Sequence, residues 1–173
     1  EVTELPPNTQ GIATLMILNI VENMDLQKLG EGTADYYHAM TEAVKLAFAD
    51  RDTWVTDPTT IDIPYQRLLD KDYAQQRYNR IEMDQAHPPD QVEAGVDRGD
   101  TVYMCAVDSD GLAVSLIQSV YFEFGSGFVP PGTGILMQNR GSFFKLDPEH
   151  PNALAPRKRT FHTIIPAMAL RDG

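Results

Sequence analysis

Apolar positions change their period once along this chain, near residue 100, and the change separates two kinds of structure. After Pro6-Pro7-Asn8-Thr9, the residues Ile12, Leu15, Met16 and Ile20 recur at helical spacing, and Asn8 or Thr9 stands where an N-cap belongs. Ile17, Leu18 and Val21 add apolar positions on the other sides, so this helix is expected to be well buried. Leu29-Gly30-Glu31-Gly32-Thr33 interrupts the pattern, with Thr33 as a good cap for the next helix. In that helix Tyr36, Met40, Ala43, Val44, Ala47 and Phe48 form one face, while Asp35, Glu42, Lys45 and Asp50 fall off it. It should fade between Trp54 and Asp57, because Pro58 disfavours helical geometry in the residue before it. Pro64 opens a third helical stretch, roughly residues 65–80, with Leu68, Leu69, Tyr73 and Tyr78 as apolar contacts.

Residues 84–100 carry no period and read as a polar linker containing Pro and Gly. Beyond them Thr-Val-Tyr-Met-Cys-Ala-Val-Asp, residues 101–108, reads as a strand. Asp108-Ser109-Asp110-Gly111 then turns the chain into a second strand over residues 112–119. Helices before residue 100 and strands after it make the class α+β. At 173 residues the chain is one domain or a piece of one. Glu1 and Arg171-Asp172-Gly173 both read as interior points of a longer chain.

Composition narrows the partners. A net charge of −11 argues against nucleic acid or an anionic membrane, and Arg157-Lys158-Arg159 is too short to form a basic footprint. No apolar run reaches membrane-spanning length, and the start lacks the basic residues of a signal peptide, which leaves the compartment open. The single Cys105 excludes an internal disulfide framework and, lying mid-strand among apolar neighbours, is expected to be a buried small residue. No His, Cys and Asp cluster has metal-ligand spacing, and no phosphate-cradling loop is present.

Two features remain as chemistry. Thr101 stands at the first position of a strand, directly after Gly99-Asp100. Thr is common at strand starts. A Thr freed at its amine, however, is a self-sufficient nucleophile, because the α-amine takes the proton of its own hydroxyl. The second feature is a series of glycine-dense runs: Phe124-Gly125-Ser126-Gly127, then residues 129–136 with Pro131-Gly132-Thr133-Gly134, followed by Gln138-Asn139-Arg140. Taken alone these are turns or places where backbone approaches backbone.

In order and spacing the runs resemble the γ-glutamyltranspeptidase family of N-terminal-nucleophile hydrolases, essentially end to end. Pro6-Pro7-Asn8-Thr9-Gln10-Gly11 resembles the family's helix-opening motif, and residues 42–51 (Glu-Ala-Val-Lys-Leu-Ala-Phe-Ala-Asp-Arg) resemble its large-segment stretch. Gly99-Asp100-Thr101 falls at the self-cleavage junction, and the glycine runs with Lys158-Arg159 resemble small-segment motifs. The resemblance implies part of a four-layer αββα sandwich. Residues 1–100 would be the helical end of the large segment and its linker, and residues 101–173 the β-rich start of the small one. It implies an autoprocessed amidohydrolase or acyltransferase that cuts its own Asp100–Thr101 bond. The enzyme would then cleave a γ-glutamyl or glutaryl-type amide through an acyl-Thr101 intermediate, with no cofactor. Its partners would be a small-molecule amide and the remainder of its own large and small segments. Ser119 falls where the family carries a Thr whose hydroxyl bonds the nucleophile.

The chain departs from glutathione-cleaving members at several positions. Val102-Tyr103 replaces Thr-His, Tyr121 replaces an Asn, His162-Thr163 replaces a serine pair, and Phe143 stands where a carboxylate grips the substrate's α-amine. An ammonium facing Phe143 loses its ion pair, a cost of several kcal/mol, unless another acid such as Glu123 substitutes. These changes resemble the branch related to cephalosporin acylases, whose acyl groups lack the amine. Arg140 pairs either with a substrate carboxylate or in a surface ion pair. His162 either contacts a substrate carboxylate or packs, and Tyr103 and Tyr121 line a pocket or pack. In the family, a substrate-binding arginine lies upstream of Glu1 and the oxyanion glycines lie downstream of Gly173. Each missing oxyanion donor costs roughly two to three powers of ten in rate. A second reading is therefore a catalytically incompetent interaction domain.

Overall fold

The computed structural model describes residues 1–88 and 101–171. Gly99 and Asp100 lie outside the described residues, so the junction is seen from Thr101 onward. The helical part comprises α1 (Gly11–Val21), α2 (Leu26–Leu29), α3 (Ala34–Trp54), α4 (Tyr65–Leu68) and α5 (Lys71–Tyr78). Two short strands, β1 (Val2–Thr3) and β4 (Met168–Ala169), pair antiparallel and bring the two ends of the described chain together. Between them β2 (Thr101–Val107) and β3 (Ala113–Ser119) form an antiparallel hairpin.

The core is helical. Ile12, Met16 and Ile20 of α1 pack with Ala43, Leu46 and Ala47 of α3 and with Leu68 and Ala74 of α4 and α5. Thr33 caps α3 as expected, its hydroxyl accepting the Tyr36 N–H at 3.1 Å. α1 differs from expectation, because its cap position is Gln10 and no side chain caps it. Thr9 instead donates to the Leu5 and Pro6 carbonyls, and Asn8 donates to Thr160 O. Thr9 is committed to the loop before the helix and Asn8 to the later stretch at Thr160. Gly11 is required by close approach: a Cβ there would lie 2.8 Å from Leu5 O.

Three other expectations are corrected. Glu42 and Asp50 do not face solvent but are 1% and 5% exposed. Each is buried because a partner neutralises it. Glu42 accepts from Lys45 and His87, and Asp50 accepts from Tyr73 and Arg77. The third helical stretch breaks in two at Leu69 and Asp70, because the Asp70 carboxylate caps α5 by accepting the Tyr73 N–H at 2.9 Å. Cys105 is exposed rather than buried, since β2 is exposed along its whole length.

The chain after β3 returns to the helical part along a polar seam. Asn152, 5% exposed, donates through Nδ2 to Phe143 O and Thr160 Oγ1, and its Oδ1 accepts from Thr56 Oγ1 and the Phe161 N–H. Beside it the buried Asp57 carboxylate accepts from the Arg159 guanidinium at 2.8 Å and the Arg159 N–H at 3.0 Å. Those bonds hold the carboxyl far below the usual carboxylate range. Asn152→Ala leaves buried donors and acceptors unmet, and each unmet group costs about 1–3 kcal/mol. We expect the full-length protein carrying Asn152→Ala to lose roughly 2–4 kcal/mol in urea unfolding, whereas Thr33→Ala at an exposed cap loses about 1 kcal/mol.

Candidate active site

β2 begins at Thr101 and β3 ends at Ser119, and the hairpin register sets the two directly opposite each other. Opposed side chains share a face of the ribbon, with Cβ atoms about 4.5–5.5 Å apart. Thr101 Oγ1 accordingly donates to Ser119 Oγ at 3.1 Å. Ser119 Oγ also accepts the N–H of Tyr121 at 2.9 Å. The chain leaves β3 through Tyr121, whose φ of 77° lies in the left-handed region that a residue with a Cβ seldom adopts. Asn139 holds this loop, its side chain accepting the Phe122 N–H at 3.1 Å and its own N–H donating to Val120 O. Gly125 matters in the same loop, because a Cβ there would sit 2.5 Å from Met137 O.

Asn139 thereby docks the next residue, Arg140, which opens a 3₁₀ turn over Arg140–Phe143. Arg140 is 5% exposed, which decides against a surface ion pair. Its guanidinium lies 4.7 Å from the Tyr121 ring centroid and 5.8 Å from that of Phe143, and it donates to Thr163 Oγ1 at 2.7 Å. Burial pulls the guanidinium pKa below its ordinary value. Among the described residues it pairs with no carboxylate.

His162 precedes Thr163. Its Nδ1 accepts the Ile164 N–H at 3.2 Å and so carries no proton. Burial, reinforced by the Arg140 charge, pulls its pKa down to about 4, so the ring is neutral and its proton sits on Nε2. Thr163 Oγ1 accepts from Arg140, which leaves its own O–H free to donate. The guanidinium and the hydroxyl bonded to it are donors suited to an anion, and the neutral His162 lies within reach of the Arg140 charge. Phe143 packs between Tyr121 and Phe161, with ring centroids 4.7 and 4.9 Å away. Glu123 is exposed.

The structure thus brings Thr101, Ser119 and Tyr121 into one contact series and joins it through Tyr121 to Arg140, Phe143, Thr163 and His162. Tyr103 stands apart, exposed on the hairpin with its hydroxyl 2.9 Å from Ser115 Oγ. Among the described residues His38 and His150 hydrogen-bond backbone groups, Glu82 O and the Asn152 N–H. Asn139, Gln10 and Arg51 hold parts of the site, and their sequence signal is that each lies inside one of the motifs that resemble the family. Asp57 had no such signal.

The family model described as Gamma-glutamyltranspeptidase matches residues 1–173. The chain belongs to that family. It is 51% identical over 172 residues to a glutathione hydrolase-like proenzyme of Bacillus subtilis (strain 168), covering 99% of this chain and 32% of that protein. It is 47% identical over 170 residues to an oxamate amidohydrolase proenzyme of Klebsiella pneumoniae, covering 98% of this chain and 31% of that one. The crystal structure of a cephalosporin acylase from Bacillus halodurans matches with a TM-score of 0.80 at 45% identity, over 96% of this chain and 29% of that one. The α+β fold is therefore that of the N-terminal-nucleophile hydrolases. The chain spans about a third of the length of these relatives.

The His162 environment predicts a pH dependence. Its folded pKa of about 4 lies below the ordinary 6.5, so between those values the unfolded chain binds the extra proton. The His162 contribution is intact above about pH 6.5 and is lost as the pH falls toward 4. Thermal melts of the full-length protein across this window should steepen toward acid, and His162→Gln should flatten that slope. Equal slopes would rule out His162 as the source.

Proposed function

We propose that Thr101 is the nucleophile of an amidohydrolase and acyltransferase, and that Asp100–Thr101 is the bond its precursor cuts. The observation that carries this reading is the Thr101–Ser119 hydrogen bond, at the point where the linker becomes a strand. In the precursor the Thr101 hydroxyl oxygen attacks the Asp100 carbonyl carbon. The C–N bond breaks, the acyl group passes to oxygen as an ester, and the amine is released. Water then hydrolyses the ester. In the mature protein the Thr101 amine takes the proton from its own hydroxyl, and the oxygen attacks the substrate amide. The amine product leaves with that proton, and water or an acceptor amine resolves the acyl-Thr101. Ser119 accepts from the nucleophile and holds it in place, while the Tyr121 N–H holds Ser119.

The donor we infer carries a terminal carboxylate and no α-amine, as a glutaryl amide does. Arg140 and His162 offer donors, Thr163 has its O–H left to donate, and Phe143 puts no carboxylate opposite an ammonium. Oxamate, the substrate in the name of one relative, has the same charge pattern. We place residues 1–100 at the end of the large segment and 101–173 at the start of the small one. A two-stranded ribbon as apolar as this one, with Val102, Met104, Val114 and Leu116 exposed, is marginal alone. The remainder of the protein's own segments is its natural cover.

Intact-mass analysis of the full-length protein should show two chains divided before Thr101, and Thr101→Ala should abolish both division and turnover. Ser119→Ala should slow turnover on the order of a hundredfold. A protein that stays whole under all conditions overturns the reading. Turnover of glutaryl-p-nitroanilide should exceed that of γ-glutamyl-p-nitroanilide by about tenfold or more, since 1.4 kcal/mol suffices for that factor. The reverse preference would remove the donor assignment and leave the nucleophile standing.

A further inference from the structure

His162 and Thr163 lie in a stretch with little regular structure, yet its backbone is held at nearly every step by the loop before α1. Asn8 Nδ2 donates to Thr160 O at 2.7 Å, and the His162 N–H donates to Asn8 O at 2.8 Å. Gln10 then takes the next two carbonyls by itself. Its N–H donates to His162 O at 2.9 Å, and its side-chain Nε2 donates to Thr163 O at 2.9 Å. The Gln10 amide is held in turn, since its Oε1 accepts from Arg51 NH1 at 2.9 Å. That bond assigns the amide orientation: oxygen toward Arg51, nitrogen toward Thr163.

Arg51 is not available to a substrate. It is stacked 3.7 Å over the Phe48 ring and paired with Asp52 at 2.7 Å. The Phe161 ring lies near it too, with a centroid distance of 5.0 Å. The series Arg51, Gln10, Thr163, Arg140 therefore runs from the middle of the helical part to the buried guanidinium, with every link a hydrogen bond between 2.7 and 2.9 Å.

We propose that Gln10 is a positioning residue for acyl-donor binding. By gripping the carbonyls of His162 and Thr163 it fixes where the Thr163 hydroxyl stands, and through that the Arg140 guanidinium. The inference rests on the proposed function above and deepens it, since it names what aims the donor cluster. Gln10 touches neither Thr101 nor Ser119 in any hydrogen bond, so it should act on donor affinity and not on self-cleavage. A misplacement of about 1 Å at a positioning contact is enough to cost large factors in rate.

Gln10→Glu separates this role from a merely structural one. The glutamate keeps an acceptor for Arg51 but loses the N–H that reaches Thr163 O. Gln10→Ala loses both. In the full-length protein, assayed with glutaryl-p-nitroanilide, both variants should raise KM about tenfold with kcat little changed. Division before Thr101, followed by intact mass, should run at the parent's rate. If Gln10→Glu has the parent's KM and only Gln10→Ala is impaired or less stable, the side chain merely braces Arg51 and the proposal is overturned. A variant that lowers kcat or halts division while KM is unchanged also overturns it. Should the unaltered protein neither divide nor turn over the anilide, the functional reading falls first and this inference falls with it.

Discussion

Asn152 is the point on which the geometry of this chain depends. A buried carboxamide is tolerable only when both N–H groups and both lone pairs are met. Asn152 meets all four, with partners from the loop after α3, from the 3₁₀ turn and from residues 160–161. Removing it would free the residue before Asp57 on one side and the backbone of Phe143 and Phe161 on the other. Asp57 and Arg159 reinforce the same seam with a charged pair, and charge-assisted bonds of this kind are the stronger ones. The helical part therefore serves as the frame against which the donor cluster of the later residues is aimed.

Part of this was legible in the sequence, for definite reasons. The Thr33 cap and the long helix after it follow from local rules, as does the hairpin, where a short Asp- and Gly-containing turn sets the register. Once the register is known, Thr101 must face Ser119. Periodicity misjudged Glu42 and Asp50 because it counts every charged residue as outward. What buries Asp50 is Arg77, on a different helix and 27 residues away. The sequence leaves Arg140 between two readings because its burial is made by Tyr121 and Phe143 and its hydrogen bond by Thr163, none adjacent in sequence. Asp57 and Asn152 carried no signal at all, since isolated polar residues in loops look alike until a fold encloses them.

The charge of the whole chain and the charge of the site point in opposite directions. The chain carries −11, yet the part that would meet a substrate buries a guanidinium beside a histidine kept neutral. An isolated cation taken out of water costs several kcal/mol. The faces of Tyr121 and Phe143, with the Thr163 oxygen, return a part of that. On the proposed function, an incoming carboxylate would offset more of that cost, whereas an incoming ammonium would add a like charge.

The two functions assigned to the site depend on different parts of the fold. Thr101 and Ser119 lie 18 residues apart and are aligned by one hairpin, so their geometry is local. The donor cluster is assembled from residues 140, 162 and 163 and is aimed by Gln10 and Arg51 in the first third of the chain. Tyr121 joins the two, giving its N–H to Ser119 and its ring to Arg140. The Gln10 contacts therefore bear on residues 162 and 163 and leave the Thr101–Ser119 pair untouched. Tyr121, with the Asn139 contacts that hold its loop, touches both parts at once.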